Sequence, residues 1–178
     1  MVERQDYVDE VIAEWRRELP DMETIGLATV GRIFALFKHL EVEMDRLLRE
    51  HGLPLWGFDV LFALRRSGPP YTLLPTQLMK ACYLTSGAMT HRLDRIEQMG
   101  LIQRSHNADD RRSVHITLLE AGKELVDKVL PIRVEYVLSV LEPLSQSERT
   151  TLASLLKKLI LPLEPRFRPP SGSLTRPG

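Results

Sequence analysis

Ser86, Gly87, Thr90 and His91 open the segment "LTSGAMTHRLDRIEQMGL" (84–101), in which Met89, Leu93 and Ile96 recur at helical spacing. At about 100° per residue those three and Gly100 share one side of a helix 85–99. Gly87, His91, Asp94 and Gln98 face the other way, with Thr90 and Arg95 on the shoulders. A helix face with nothing to touch usually carries Glu and Lys. Short hydroxyl side chains and a glycine instead let a backbone come close to base edges in a major groove. The helix N-terminus adds free N–H groups and partial positive charge suited to a phosphate. A plain surface helix with Thr85 as its N-cap fits the same residues.

The turn "NADDRR" that follows carries Arg111 and Arg112 side by side, at the tip of a ribbon formed by "LIQRSH" and "SVHITL". Two arginines there suit a phosphate backbone or a narrow minor groove, and Asp110 is close enough in sequence to orient Arg112. A solvated hairpin with a local ion pair is the simpler alternative. Helix, ribbon and basic tip together favour duplex DNA.

Asp59 is the second chemical oddity. It lies inside the apolar run "WGFDVLFAL", where a bare carboxylate is costly, so it needs a cation or a wet cleft. Arg92 and Arg104 are the candidate partners. Trp15 is a large aromatic that packing alone explains, since it shares an apolar stripe with Val8 and Ile12. Cys82 reads as a small buried hydrophobe. The five histidines lack the spacing of a metal site on one helix, so no metal or other cofactor is expected. No phosphate loop, nucleophile elbow or catalytic grouping marks an enzyme.

The elements that must position these residues follow from periodicity and breakers. A short first helix ends at Pro20; a long one spans roughly 24–50, with Ile33, Leu36, Phe37, Leu40, Met44, Leu47 and Leu48 on one stripe. Helices 55–66 and 75–82 precede the segment 85–99, and a helix 120–141 containing Pro131 follows the ribbon. "SQSE" (145–148) has capping-box spacing and opens a last helix to about 161. The fold class is therefore mainly α with an α+β wing: a winged helix-turn-helix between long terminal helices. Domain limits are 1–23 for an extra helix, 24–161 for the winged-helix domain and 162–178 for a Pro-rich tail expected to be disordered. Within the domain, 55–118 would face DNA, while 24–50 and 120–161 would dimerise.

The net charge is zero, but residues 1–50 hold 7 basic and 12 acidic groups, whereas 60–118 hold 8 and 4. A basic middle beside an acidic arm is compatible with one surface turned to phosphate. One cysteine excludes a disulfide framework. No long apolar run or signal-peptide pattern is present, so a cytoplasmic protein without membrane contact is expected.

"LTSGAMTHRLDRIEQMGLIQRSHNADDRRSVHITL" resembles the winged helix-turn-helix of the MarR family of bacterial transcriptional regulators, and the order of elements matches over nearly all of 24–161. Leu74 and Leu119 depart from it, standing where the family often has Thr caps. The resemblance implies a homodimer whose terminal helices interlock, two recognition helices on a palindromic operator, and repression modulated by a small aromatic or anionic effector. It places Ser86, Gly87, Thr90 and His91 toward bases, Arg95 toward phosphate, and Asp110, Arg111 and Arg112 in the wing. "EWRRELPD" and "FDVLFALRRSGPPY" are similar to the urate-responsive, PecS-like branch. That likeness implies that Trp15, Asp59, Arg92 and Arg104 bind urate or a similar anion and relay its signal. Two alternatives stay open: a regulator answering phenolic compounds, and a helical protein-interaction module that does not bind DNA.

Overall fold

The computed structural model describes residues 4–106 and 114–164. Two compact units divide at Leu47, and each is described by itself. In the first, Asp6 opens α1 (Tyr7–Glu18) with a capping box. Its carboxylate accepts from the Asp9 N–H at 2.9 Å, and the Asp9 carboxylate accepts from the Asp6 N–H at 3.0 Å. Helix α2 (Ile25–Arg49) runs beside it. Arg32 of α2 donates to Asp6 at 2.9 Å and to Asp9 at 2.5 Å, and Arg16 donates to the buried Thr24 hydroxyl at 3.0 Å. Val8 and Ile12 are buried; a Cβ on Gly31 would already stand 3.2 Å from Val8, so the helices touch closely there.

Trp15 departs from expectation. It shares the predicted stripe with Val8 and Ile12 but is 44% exposed. The apolar stripe of α2 splits likewise: Met44 and Leu48 are buried, whereas Ile33, Leu36 and Phe37 are exposed on the single chain.

In the second unit, α3 (Leu55–Arg66) is buried on most of its circumference, through Phe58, Val60, Leu61, Ala63 and Leu64. A helix apolar on that many sides must be central. It packs against α4 (Pro75–Cys82), α5 (Ser86–Gln98), α6 (Glu120–Val140) and the sheet. Arg65 joins it to α6 through Asp127 at 2.8 Å. The predicted two-stranded ribbon is part of a three-stranded antiparallel sheet, β1 (Thr72–Leu73), β3 (Val114–Leu118) and β2 (Ile102–His106) in spatial order. β1 pairs Thr72 with Thr117 and Leu73 with Ile116, and two residues are too few to show an alternating pattern in a sequence. Ile102, Ile116 and Leu118 turn inward from the sheet.

Helix α6 runs through Pro131 as one element. Arg149 donates from Nε to the carbonyls of Leu141 (3.1 Å) and Leu144 (3.0 Å), satisfying groups that the end of α6 leaves open. The predicted capping box at Ser145 and Glu148 opens α7 (Gln146–Ile160). Thr85 holds the N-cap position of α5, but its side chain makes no capping bond, contrary to expectation. Leu74 and Leu119 also lack side-chain caps; Gln77 compensates at α4 by accepting the Leu74 N–H at 2.7 Å. No helix among the described residues is long and apolar enough to cross a membrane.

Gly100 ends α5 at φ +71° with open space around it, and Leu101 donates back to the Ile96 carbonyl at 3.3 Å. Gly100→Ala should cost about 1 kcal/mol from backbone strain alone, lowering Tm by roughly 3 °C in a thermal melt.

Candidate nucleic-acid interface and the clefts beside it

Helices α4 and α5 are joined by a turn in which Tyr83 adopts the left-handed conformation (φ 54°) and Leu84 donates to the Met79 carbonyl at 3.0 Å. This turn sets the direction in which α5 leaves. Met89, Leu93 and Ile96 are buried as the spacing requires. Ser86, Gly87, Thr90, His91 and Arg95 are all exposed on the rest of the helix. The structure thus gathers the predicted base-facing residues on one free surface, with no side chain within 4 Å of a Cβ placed on Gly87. The Thr90 hydroxyl donates to the Ser86 carbonyl at 3.1 Å, which leaves its lone pairs free to accept. Asp110, Arg111 and Arg112 lie outside the described residues.

Arg95 does not reach freely into solvent. Its guanidinium lies 4.8 Å above the Trp56 ring, while Arg92 donates to the Trp56 carbonyl at 3.4 Å. Trp56, Ala88, His91, Arg92 and Arg95 line a cleft of ≈ 290 Å³ along the helix. Sequence reasoning passed over Trp56, because a tryptophan in an apolar run looks like core.

Arg104 and Asp59 correct an expectation. Arg104 is not the partner of Asp59: it pairs with Asp94 at 2.6 Å and Glu97 at 3.5 Å, both on α5, and donates to the Thr90 carbonyl at 3.4 Å. Its role in the fold is to tie β2 to the outward side of α5. The cation nearest Asp59 is Arg133 of α6, at 3.6 Å, with Arg92 acting only through its field. Arg133 also stacks over Phe58 (4.9 Å) and Phe62 (5.7 Å). A second cleft of ≈ 380 Å³ opens here, bounded by Asp59, Phe62, Arg66, Cys82, Tyr83 and Arg133. Trp15 belongs to the other unit.

Burial pushes the Cys82 thiol up to about 11, with the Asp59 carboxylate adding to the effect, so Cys82 stays protonated and unreactive near neutral pH. Its Sγ donates to the Asp59 carbonyl at 3.6 Å. Among the described residues no cluster of three or more His, Cys, Asp and Glu could hold a metal.

The sequence profile of the MarR family matches residues 51–113, which contain α3, α4, α5 and β2. The HTH-type transcriptional regulator PecS of Dickeya dadantii is 33% identical over 152 residues, covering 85% of this chain and 92% of that protein. The chain belongs to the MarR family.

Solved structures agree with the assignment. Sco3205, a MarR family regulator from Streptomyces coelicolor in complex with DNA, superposes with a TM-score of 0.71 at 25% identity, over 80% of this chain and 94% of that one. The organohalide-sensing regulator RdhR-CbdbA1625, in its 2,4-dichlorophenol-bound form, shares the fold at a TM-score of 0.76 and 22% identity, covering 90% and 94%. As a MarR protein this chain is a DNA-binding transcriptional regulator, not an enzyme. Helices α4 and α5 form the helix-turn-helix of that fold.

Asp59 gives this MarR protein a measurable pH signature. Burial raises its carboxyl above the ordinary 3.8, and Arg133 followed by Arg92 only partly offsets this. An acid that holds its proton more tightly when folded destabilises the fold as pH rises from the unfolded toward the folded pKa, and fully above both. Asp59→Asn should therefore melt higher than the parent at pH 7, with the difference vanishing below about pH 3.8. Melts at several pH values check this; a variant that melts lower at neutral pH would mean that Arg133 needs the carboxylate more than burial disfavours it.

Proposed function

We propose that this MarR protein is a homodimeric repressor that holds a palindromic operator through α5 and the wing, and releases it when a planar aromatic anion such as urate binds. The observation that carries the reading is the exposed face Ser86, Gly87, Thr90, His91 and Arg95 on a helix whose other face is fully buried. Small groups at its N-terminal end suit base edges, Arg95 suits phosphate, and Arg111 with Arg112 suits the flanking backbone. Apolar residues left exposed on the long helices, among them Phe34, Phe37, Leu138, Leu155 and Leu159, support pairing of two copies. Two such helices about 34 Å apart would read half-sites one turn apart.

The likeness to PecS over most of both chains, taken with the resemblance of "EWRRELPD" and "FDVLFALRRSGPPY" to the urate-responsive branch, favours an anion-responsive reading. Trp15 offers a flat exposed face, Asp59 a carboxyl and Arg92 a planar donor for an anionic edge, while Arg104, held by Asp94 and Glu97, would relay the signal through α5. An anion taking Arg92 would break its bond to the Trp56 carbonyl, and a displacement of α5 by roughly 1–2 Å would spoil several base contacts at once.

The test is operator binding by fluorescence anisotropy across salt. Affinity should fall steeply with salt, and the slope should flatten in Arg111→Ala/Arg112→Ala as phosphate contacts are lost. A shallow, salt-insensitive slope would favour a protein-interaction module. Unchanged operator affinity at millimolar urate removes urate as effector and leaves the DNA reading in place.

A further inference from the structure

Neither periodicity nor resemblance singled out Trp56, yet two arginines of α5 meet it. It is the second residue of α3, and unlike Gly57 and Phe58 beside it, it is only half-buried. The Arg95 guanidinium lies 4.8 Å above its ring, and Arg92 donates to its carbonyl at 3.4 Å. Contact with a ring occupies the face of a guanidinium and leaves the in-plane N–H donors available along its edge. Asp94 and Glu97, the nearest carboxylates in sequence, are taken by Arg104 at 2.6 and 3.5 Å. Among the described residues no carboxylate pairs with Arg95. Arg92 and Arg95 stand three residues apart on one helix, where like charges repel. With His91, Ala88 and Trp56 they line an open cleft of ≈ 290 Å³ along α5. A cation that is held in place but left without a counter-charge suits an anion brought by a partner.

We infer that Trp56 is a positioning residue for operator binding: its indole holds the Arg95 guanidinium edge-outward, so that this edge clamps one backbone phosphate beside the groove. The inference rests on the reading that α5 lies against the operator, and it assigns a part in that contact to a residue of α3. A long, exposed arginine loses rotamer freedom when it fixes a phosphate, and an arginine already resting on a ring has less to lose. Tryptophan is the best ring for this, because its face attracts a cation most strongly. The phosphate contact carries no sequence information, so Trp56 sets how tightly the duplex is held and not which bases are preferred.

The experiment is a double-mutant cycle on the full chain, read by anisotropy with one duplex that the wild type selects from a random-sequence pool. Arg95→Ala should weaken binding on the order of tenfold and flatten the salt slope by about one unit. Trp56→Leu should weaken binding about three- to tenfold in the wild-type background and cause no further loss in Arg95→Ala. Trp56→Met, also without a ring, takes its place in the cycle if the leucine variant does not fold. Trp56→Tyr restores a ring and should recover most of the affinity. Base preferences at every half-site position should be the same in Trp56→Leu or Trp56→Met as in the parent. A loss that persists undiminished in Arg95→Ala, or altered base preferences, would mean that Trp56 sets the tilt of α5, which overturns the inference. Parental affinity in the ringless variants, or a tyrosine variant as weak as they are, overturns it too. Arg95→Ala binding like the parent removes the phosphate clamp and leaves base reading by α5 standing. A wild type that selects no duplex removes the operator reading itself.

Discussion

Gly87→Leu should fold at least as stably as the parent and bind operator DNA on the order of 100-fold more weakly. Glycine inside a helix costs about 1 kcal/mol relative to good helix formers, and Gly87 lies in the first turn of α5. Nothing stands within 4 Å of its absent Cβ, so a side chain there meets no steric penalty in the free protein. On stability alone a larger residue would be preferred. A helix resting in a groove reverses that preference, because four added carbons hold the backbone away from the bases. Losing even one or two bidentate base contacts at about 1–3 kcal/mol each gives the stated loss. Gly87→Ala should show the same opposition in milder form. Melts paired with anisotropy on one duplex check both; a leucine variant that binds as tightly as the parent would remove α5 from the groove.

Among the described glycines, Gly122→Ala should produce the largest loss of stability. The new Cβ would collide with the Leu101 carbonyl oxygen and stand 2.7 Å from Leu118 Cδ1 and 3.2 Å from the Leu101 carbonyl carbon. The obstacle is backbone, and it is fixed: the Leu101 oxygen accepts the Leu119 N–H at 3.0 Å, which joins the end of α5 to the start of α6. Relief requires moving the start of α6 away from Leu101. Overpacking against rigid atoms costs about 3 kcal/mol or more, which lowers Tm by roughly 10 °C in a domain of this size. Gly26→Ala on α2, where the space is open, is the matched control and should melt no lower than the parent. A Gly122→Ala protein melting within a degree or two of wild type would contradict the tight seat of α6.

The residues most legible in the sequence were those whose partners are a helical turn away. Met89, Leu93 and Ile96 fix the buried side of α5 by spacing alone, and the free side follows by subtraction. Ser145 and Glu148 announce their capping box because both halves sit in one short motif. What stayed hidden depends on distant chain segments. Asp59 advertised its need for a cation, but nothing local pointed to Arg133, which reaches it only once α6 packs on α3. Arg104 looked equally available and is instead taken by Asp94 and Glu97. Trp56 reads as core until the fold puts Arg95 over its ring. Trp15 shows the limit of periodicity: the stripe gives the direction of a side chain, not whether the neighbouring helix is wide enough to cover it.

The central claim is that the exposed side of α5 reads bases. Its most direct test is a comparison of operator base preferences between the wild type and His91→Ala or Thr90→Ala, with every position of one half-site varied in turn. Each substitution should relax the preference at one or two positions, symmetrically in both half-sites, while the salt slope stays that of the parent. Unchanged preferences at every position would mean that the helix does not meet the bases.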